Sequence, residues 1–209
     1  MTRQFLAALT LLSLLSCGDR DDGYAGRELK QPGAEDEDLP VLVLLPKFAF
    51  TDQTGTPFGT TELDGQLWVA NFIFTRCVMT CPMQTANLAL LKEKLDRHDR
   101  WGEKISLVSF SVDPEYDTSD VLRSFGEQYD ANPSRWKFLT GAREATWQLS
   151  RQGFKLPVGE QQMEVGLPLF HSSMLVLVDR QRQIRGYYDG LDDAALSKVY
   201  DDLNRLTEE

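Results

Sequence analysis

The sequence predicts an α/β domain built on a buried central sheet, and three observations carry that prediction. Two largely apolar runs, Leu67–Phe74 and Ile105–Val112, are each followed by a segment with helical spacing, as expected of strands covered on both faces. A pair of apolar runs, Met174–Val178 and Ile184–Tyr188, then precedes a closing amphipathic segment, Asp192–Leu206. At 209 residues, 42% hydrophobic and 26% charged, the chain is long enough for a sizeable core and has the composition of a soluble globular protein.

Taken in order, Phe48–Thr51 and the segment around Pro57-Phe58 flank the turn-rich Asp52-Gln53-Thr54-Gly55, which predicts a short hairpin. Leu67–Phe74 is bounded by Gly65 and Thr75 and predicts a buried strand. From Pro82 to about His98, Leu88, Leu91 and Leu95 recur on one face, and Pro82 suits a first helical turn. Ile105–Val112 is a second strand, and Asp117/Thr118 to Tyr129 a second helix with a capping residue at its start. Trp136–Leu139 is a short strand, and Arg143–Arg151 a third helix. A hairpin through Asp179–Gln183 follows, then a helix with Leu196, Val199, Leu203 and Leu206 inward. Strand, helix, strand, helix, hairpin and terminal helix is the order of a thioredoxin-like domain, here with an N-terminal hairpin and an inserted strand–helix element over Trp136–Arg151.

The first seventeen residues stand apart. Arg3 precedes an apolar run, Phe5–Leu15, too short to span a bilayer and of the length of a signal-peptide core. It ends in Leu14-Leu15-Ser16-Cys17-Gly18, which resembles a bacterial lipobox, with Cys17 as the lipidated residue. Residues 19–38 hold eight acids against three bases, half of the chain's net charge of −10, and read as a solvated tether. The expected organisation is therefore a lipoprotein signal peptide over 1–17, an acidic tether over 18–40 and a domain over 41–209, exported and lipid-anchored to a bacterial membrane. The acidic balance argues against nucleic acid as a partner.

With Cys17 taken as an anchor, the domain has one cysteine pair, Cys77 and Cys81, in FTRCVMTCP at a strand-to-helix junction. Helix N-termini favour anions, which would depress a thiol pKa there. If both cysteines lie in the first helical turn, their Cα atoms sit roughly 6 Å apart, within disulfide range and equally suited to converging on one metal ion. The spacing decides neither. Of the two histidines, His98 in LDRHDR reads as a surface residue near a helix C-terminus, and His171 precedes an apolar strand. In a thioredoxin-like fold the loop bearing His171 lies beside the cysteine loop. Two thiolates and an imidazole suit copper, and zinc with water as fourth ligand is chemically possible.

Four ordered motifs carry a more specific signal. They are Phe72-x-Phe74-Thr75-x-Cys77-x-x-x-Cys81-Pro82; Ser111-Val112-Asp113-Pro114-x-x-Asp117-Thr118; Trp136-x-x-Leu139-Thr140-Gly141; and His171-Ser172 before a strand ending in Val178-Asp179. Together, over roughly Phe48 to Gly190, they resemble the Sco/SenC family of thioredoxin-fold, membrane-tethered copper-binding proteins, which help assemble the copper centre of cytochrome c oxidase subunit II. The resemblance implies copper as the cofactor, Cys77, Cys81 and His171 as its ligands, and subunit II or another copper-accepting protein as the partner. Asp113 and Asp117 then have structural roles: an aspartate before a proline caps a turn, and Asp117/Thr118 caps the second helix. The chain departs from many members in having Phe170, not aspartate, before the histidine. Met79 and Met83 have thioethers soft enough to contact Cu(I), although methionine at such positions more often packs.

Two functions follow as expectations. One is a copper metallochaperone that captures the ion on Cys77, Cys81 and His171 and passes it on by ligand exchange. The other is a thiol–disulfide oxidoreductase in which Cys77 attacks and Cys81 resolves. A peroxidase of the peroxiredoxin kind is a distant third.

Overall fold

The computed structural model describes residues 38–78, 80–100, 104–160 and 169–209. The expectations placed on the signal peptide, on Cys17, on the tether up to residue 37 and on Met79 lie outside the described residues.

The strands are Val43–Leu44 (β1), Ala49–Asp52 (β2), Pro57–Gly59 (β3), Leu67–Ile73 (β4), Ile105–Ser111 (β5), Trp136–Thr140 (β6), Val158–Glu160 (β7), Leu169–His171 (β8), Met174–Val178 (β9) and Gln183–Asp189 (β10). The helices are Thr80–Arg97 (α1), Ser119–Glu127 (α2), Arg143–Gln148 (α3) and Asp193–Glu208 (α4). Among the described residues, eight strands form one mixed sheet in the order β1-β10-β9-β4-β5-β6-β2-β3, and β7 and β8 form a separate ribbon. The centre, β4–β5–β6, is parallel, and β9, β10 and β1 continue it antiparallel on one side. On the other side the hairpin β2–β3 joins β6 through the pairs Thr51↔Thr140 and Asp52↔Leu139.

Every residue of β4 and β5 is buried, which explains why both read as nearly continuous apolar runs. One face of the sheet (Leu67, Val69, Ile73, Leu107) packs under Leu88, Leu91 and Leu95 of α1 and Leu196, Val199 and Leu203 of α4. The other face is aromatic: Phe72 lies 5.2 Å from Phe110 and 5.3 Å from Phe154, centroid to centroid, and Trp68 lies 6.0 Å from Phe154. Burial of each such side chain contributes about 1.5–3 kcal/mol, so β4 is held firmly from both sides and delivers its C-terminal end to a fixed place.

Three elements differ from expectation. The third helix stops at Gln148 and continues over Leu149–Gly153 as a π-turn, closed by Phe154 N–H donating to the Leu149 carbonyl at 2.9 Å. Just after this wider turn the fully buried Phe154 enters the aromatic layer. Helix α1 begins at Thr80, two residues before Pro82, which the first turn accommodates because its N–H groups have no partner within the helix. Strand β1 and the ribbon β7–β8 are too short to leave a periodic signal. No described helix is long and apolar enough to cross a membrane.

Candidate metal centre

The cysteine stretch leaves the sheet at the end of β4. After the buried Phe74 the chain turns, with Cys77 N–H donating to the Phe74 carbonyl at 3.1 Å, and Val78 projects outward at 85% exposure. Cys77 therefore sits in the loop, half-buried, and only Cys81 lies in the first turn of α1, at 1% exposure. The pair thus bridges a loop and a helix instead of sharing one helical face. Both residues are thiols.

The segment after β5 grips this loop. Asp117, fully buried, accepts from Thr75 N–H at 3.2 Å, from Thr75 Oγ1 at 2.5 Å and from Ser111 Oγ at 2.6 Å. Asp113, also buried, takes Arg76 Nη2 at 2.6 Å and Nε at 3.1 Å on one oxygen, and the Arg76 guanidinium stacks 4.3 Å from the Tyr116 ring. Of the expected capping roles, the helix cap falls to Thr118 of the Asp117/Thr118 pair, and the turn at Asp113 is present. Thr118 is the residue that caps α2, through Val121 N–H at 3.4 Å, while Asp117 reaches across to Thr75. The Asp113 carbonyl does close a turn, accepting from Tyr116 and Asp117 N–H, but its carboxylate belongs to Arg76. Burial raises the Asp117 pKa above its ordinary value, against the opposing hydrogen bonds from Ser111 and Thr75.

His171 arrives from the other direction, at the end of β8, where it pairs with Val158 of β7. Its Nδ1 lies 2.8 Å from the Ser172 carbonyl, which can only accept, so Nδ1 carries the proton and Nε2 presents its lone pair. That Nε2 lies 2.8 Å from Cys81 Sγ. The ring stands edge-on to Phe74 with centroids 5.7 Å apart, and burial lowers its pKa, which keeps the imidazole neutral near pH 7. Phe170 lays its ring over Gly159; a Cβ there would come within 3.0 Å of it.

The Cys77 side chain beside Cys81, together with burial, pushes the Cys81 thiol up. For Cys81 the direction is thus opposite to the depressed thiol pKa expected at a helix N-terminus: a neighbouring thiol and loss of water outweigh the backbone donors. Cys81 thus touches both Cys77 and His171, although among the described residues no three His, Cys, Asp or Glu side chains form a ready-made metal cage. Met83 is exposed at 52% on α1. His98 is exposed beside Tyr200 just beyond the far end of α1, about 25 Å from Cys81 at 1.5 Å per residue. It takes no part. Arg76 and Gln84, and the role of Thr75, escaped the sequence reading, because their partners are distant in the chain.

With this geometry in hand, the sequence profile of the SCO1/SenC family matches residues 39–208. The chain belongs to the SCO1/SenC family. It is 29% identical to the SCO1 protein homolog of Bacillus subtilis over 202 residues, covering 94% of this chain and 92% of that one. Among solved structures it is similar to a SCO1/SenC family lipoprotein from Bacillus anthracis, with a TM-score of 0.73 and 33% identity over 80% of this chain and 96% of that one. It is also similar to BsSco, a Sco protein with a disulfide switch, with a TM-score of 0.71 and 28% identity over 82% of this chain and 98% of that one. The SCO1/SenC likeness thus covers the whole described domain, cysteine loop and His171 ribbon included, and the thioredoxin-like class expected from the element order holds.

Proposed function

We propose that this protein is a membrane-tethered copper metallochaperone that binds copper through Cys77, Cys81 and His171. It delivers the ion to a copper centre, that of cytochrome c oxidase subunit II. The observation that carries this reading is the meeting of Cys81 Sγ with His171 Nε2 at 2.8 Å, with Nδ1–H committed to the Ser172 carbonyl. Two sulfurs and one imidazole make a soft donor set that suits copper, and three ligands fall short of a structural zinc site. BsSco belongs to a family of cytochrome c oxidase assembly proteins. The ScoI proteins of Bradyrhizobium japonicum and Arabidopsis thaliana have been solved with copper bound, and they share the fold at 19% and 20% identity.

In this reading Cys81 and His171 form the inner wall of the site and Cys77, half-buried in the loop, is the outer ligand. Capture releases the thiol protons to solvent, which makes binding weaker as pH falls. His171 is already neutral and needs to lose no proton at its Nε2. Transfer begins at Cys77, the side an incoming thiolate can reach. Residues 1–17 serve as a lipoprotein signal peptide with Cys17 as the anchor, residues 18–40 as the tether, and residues 41–209 as the copper domain at the outer side of a bacterial membrane. That the Bacillus anthracis relative is a lipoprotein supports this arrangement.

A second reading rests on the two neighbouring thiols, Cys77 and Cys81. Cys77 thiolate attacks a partner disulfide, Cys81 then displaces the partner, and two electrons and two protons pass to the partner's thiols while a Cys77–Cys81 disulfide forms. Anaerobic copper titration of the reduced protein separates the two. Chaperone function predicts one copper per chain with a thiolate-to-Cu(II) charge-transfer band, loss of binding on Cys→Ser at either position, and much weaker binding for His171→Ala. Copper binding unchanged by His171→Ala would remove the assigned site, and dithiol activity that survives this substitution would favour the oxidoreductase.

A further inference from the structure

Gln84 is a fully buried amide one turn along α1 from Cys81. Its Nε2 donates to the Ser173 carbonyl at 2.8 Å and lies 3.4 Å from the Met174 carbonyl, while its Oε1 is buried with no partner. A buried acceptor left without a partner is unfavourable, so nothing on the Oε1 side explains an amide here; what the side chain contributes is its donor. A methionine or leucine would fill the same volume beside Leu88 without that penalty.

The Ser173 carbonyl is a junction. Besides Gln84 it accepts from Gly190 N–H at 3.1 Å, and the Gly190 carbonyl in turn accepts from Asn87 Nδ2 at 2.9 Å. The packing at this junction is close: a Cβ on Gly190 would lie 2.5 Å from the Ser173 carbonyl oxygen and 2.9 Å from Gln84 Cγ. Ser172, whose carbonyl holds the His171 Nδ1–H, is the residue between this junction and the histidine. The chain of contacts therefore runs from the helix that carries Cys81, through Gln84, to Ser173, to Ser172, and to the tautomer and direction of the His171 ring.

We infer that Gln84 is a positioning residue for the metal centre: it docks the Ser172-Ser173 segment on the cysteine helix and so aims His171 Nε2 at Cys81. Its bearing on copper rests on the function proposed above, whereas its hold on the ring does not. In the metal-free protein, ¹⁵N spectra of His171 should show a single Nδ1–H tautomer. Gln84→Met, which keeps the volume and removes the donor, should give averaged tautomers. Outer hydrogen-bond partners of metal-ligating histidines typically account for 10- to 100-fold in metal affinity, so Gln84→Met should weaken copper binding about tenfold at the low end of that range. The decisive comparison is with His171→Ala. If Gln84 acts through the ring, adding Gln84→Met to His171→Ala causes no further loss, while a merely structural role gives the same loss in both backgrounds and overturns the inference.

Should Gln84→Met fail to fold, the native protein still tests the claim. Its Gln84 carboxamide protons should exchange slowly with solvent, and averaged His171 tautomers in the unsubstituted chain would overturn it. Failure of the unsubstituted protein to bind copper would instead remove the copper reading, with the ring measurement in metal-free protein still standing for or against Gln84.

Discussion

The two segments that meet at the proposed metal centre are held by different chemistry. The cysteine loop hangs from ionisable groups, Asp117 on Thr75 and Asp113 on Arg76, and these clamps end one residue before Cys77. The His171 segment hangs from neutral donors and is held on both sides, by the pairing with Val158 and by the Gln84 and Gly190 donors on Ser173. For the proposed chaperone the difference suggests a division of roles: His171 is held from both sides against Cys81, while Cys77, half-buried against the aromatic core, lies one residue past the clamps. It also predicts that substitutions in the charged clamp act through stability and pH.

Asp117→Ala should have the largest effect on stability, about 3 kcal/mol, because it strands the Thr75 and Ser111 donors in a buried place. Chemical denaturation of the metal-free protein measures it, and a loss under ~0.5 kcal/mol would mean the clamp is idle. The same carboxyl sets a pH dependence. Its pKa in the folded chain lies above the ordinary 3.8, so the proton-linked part of its contribution to stability is fully present below that value and is lost as pH rises through the raised one, while the hydrogen bonds it accepts from Thr75 and Ser111 remain. Replacing Asp117 by Asn should flatten the stability–pH curve across that window.

Arg76→Ala should cost less, about 1–2 kcal/mol. The arginine side chain is 37% exposed, so the pair is partly screened, and Arg143 remains 3.9 Å from Asp113. A cost equal to that of Asp117→Ala would place the two clamps on an equal footing. Val78→Ser, beyond both clamps and almost fully exposed, should stay within ~0.5 kcal/mol of the unsubstituted protein in the same denaturation experiment.

Much of this arrangement was legible in the residues. The runs Leu67–Phe74 and Ile105–Val112 announced the parallel centre because strands covered on both faces have no polar alternation to obscure them. Cys77, Cys81 and His171 stood out as the soft donors of the domain. What stayed hidden depends on long-range contacts. Asp117 sits where a helix cap is expected, and only the fold reveals that Thr75, 42 residues away, takes its carboxylate. Gln84 leaves no signal at all, since its partner is a backbone carbonyl 89 residues distant. The raised Cys81 pKa needed the burial and the Cys77 contact that the helix-dipole reasoning ignored.

X-ray absorption at the copper edge of the loaded protein tests the proposed centre most directly. Two sulfur neighbours at roughly 2.3 Å and one imidazole nitrogen at roughly 2.0 Å, by analogy with zinc thiolate and imidazole bonds, are the predicted result, with the nitrogen lost in His171→Ala. A shell of nitrogen and oxygen alone, or one that His171→Ala leaves unchanged, would contradict it.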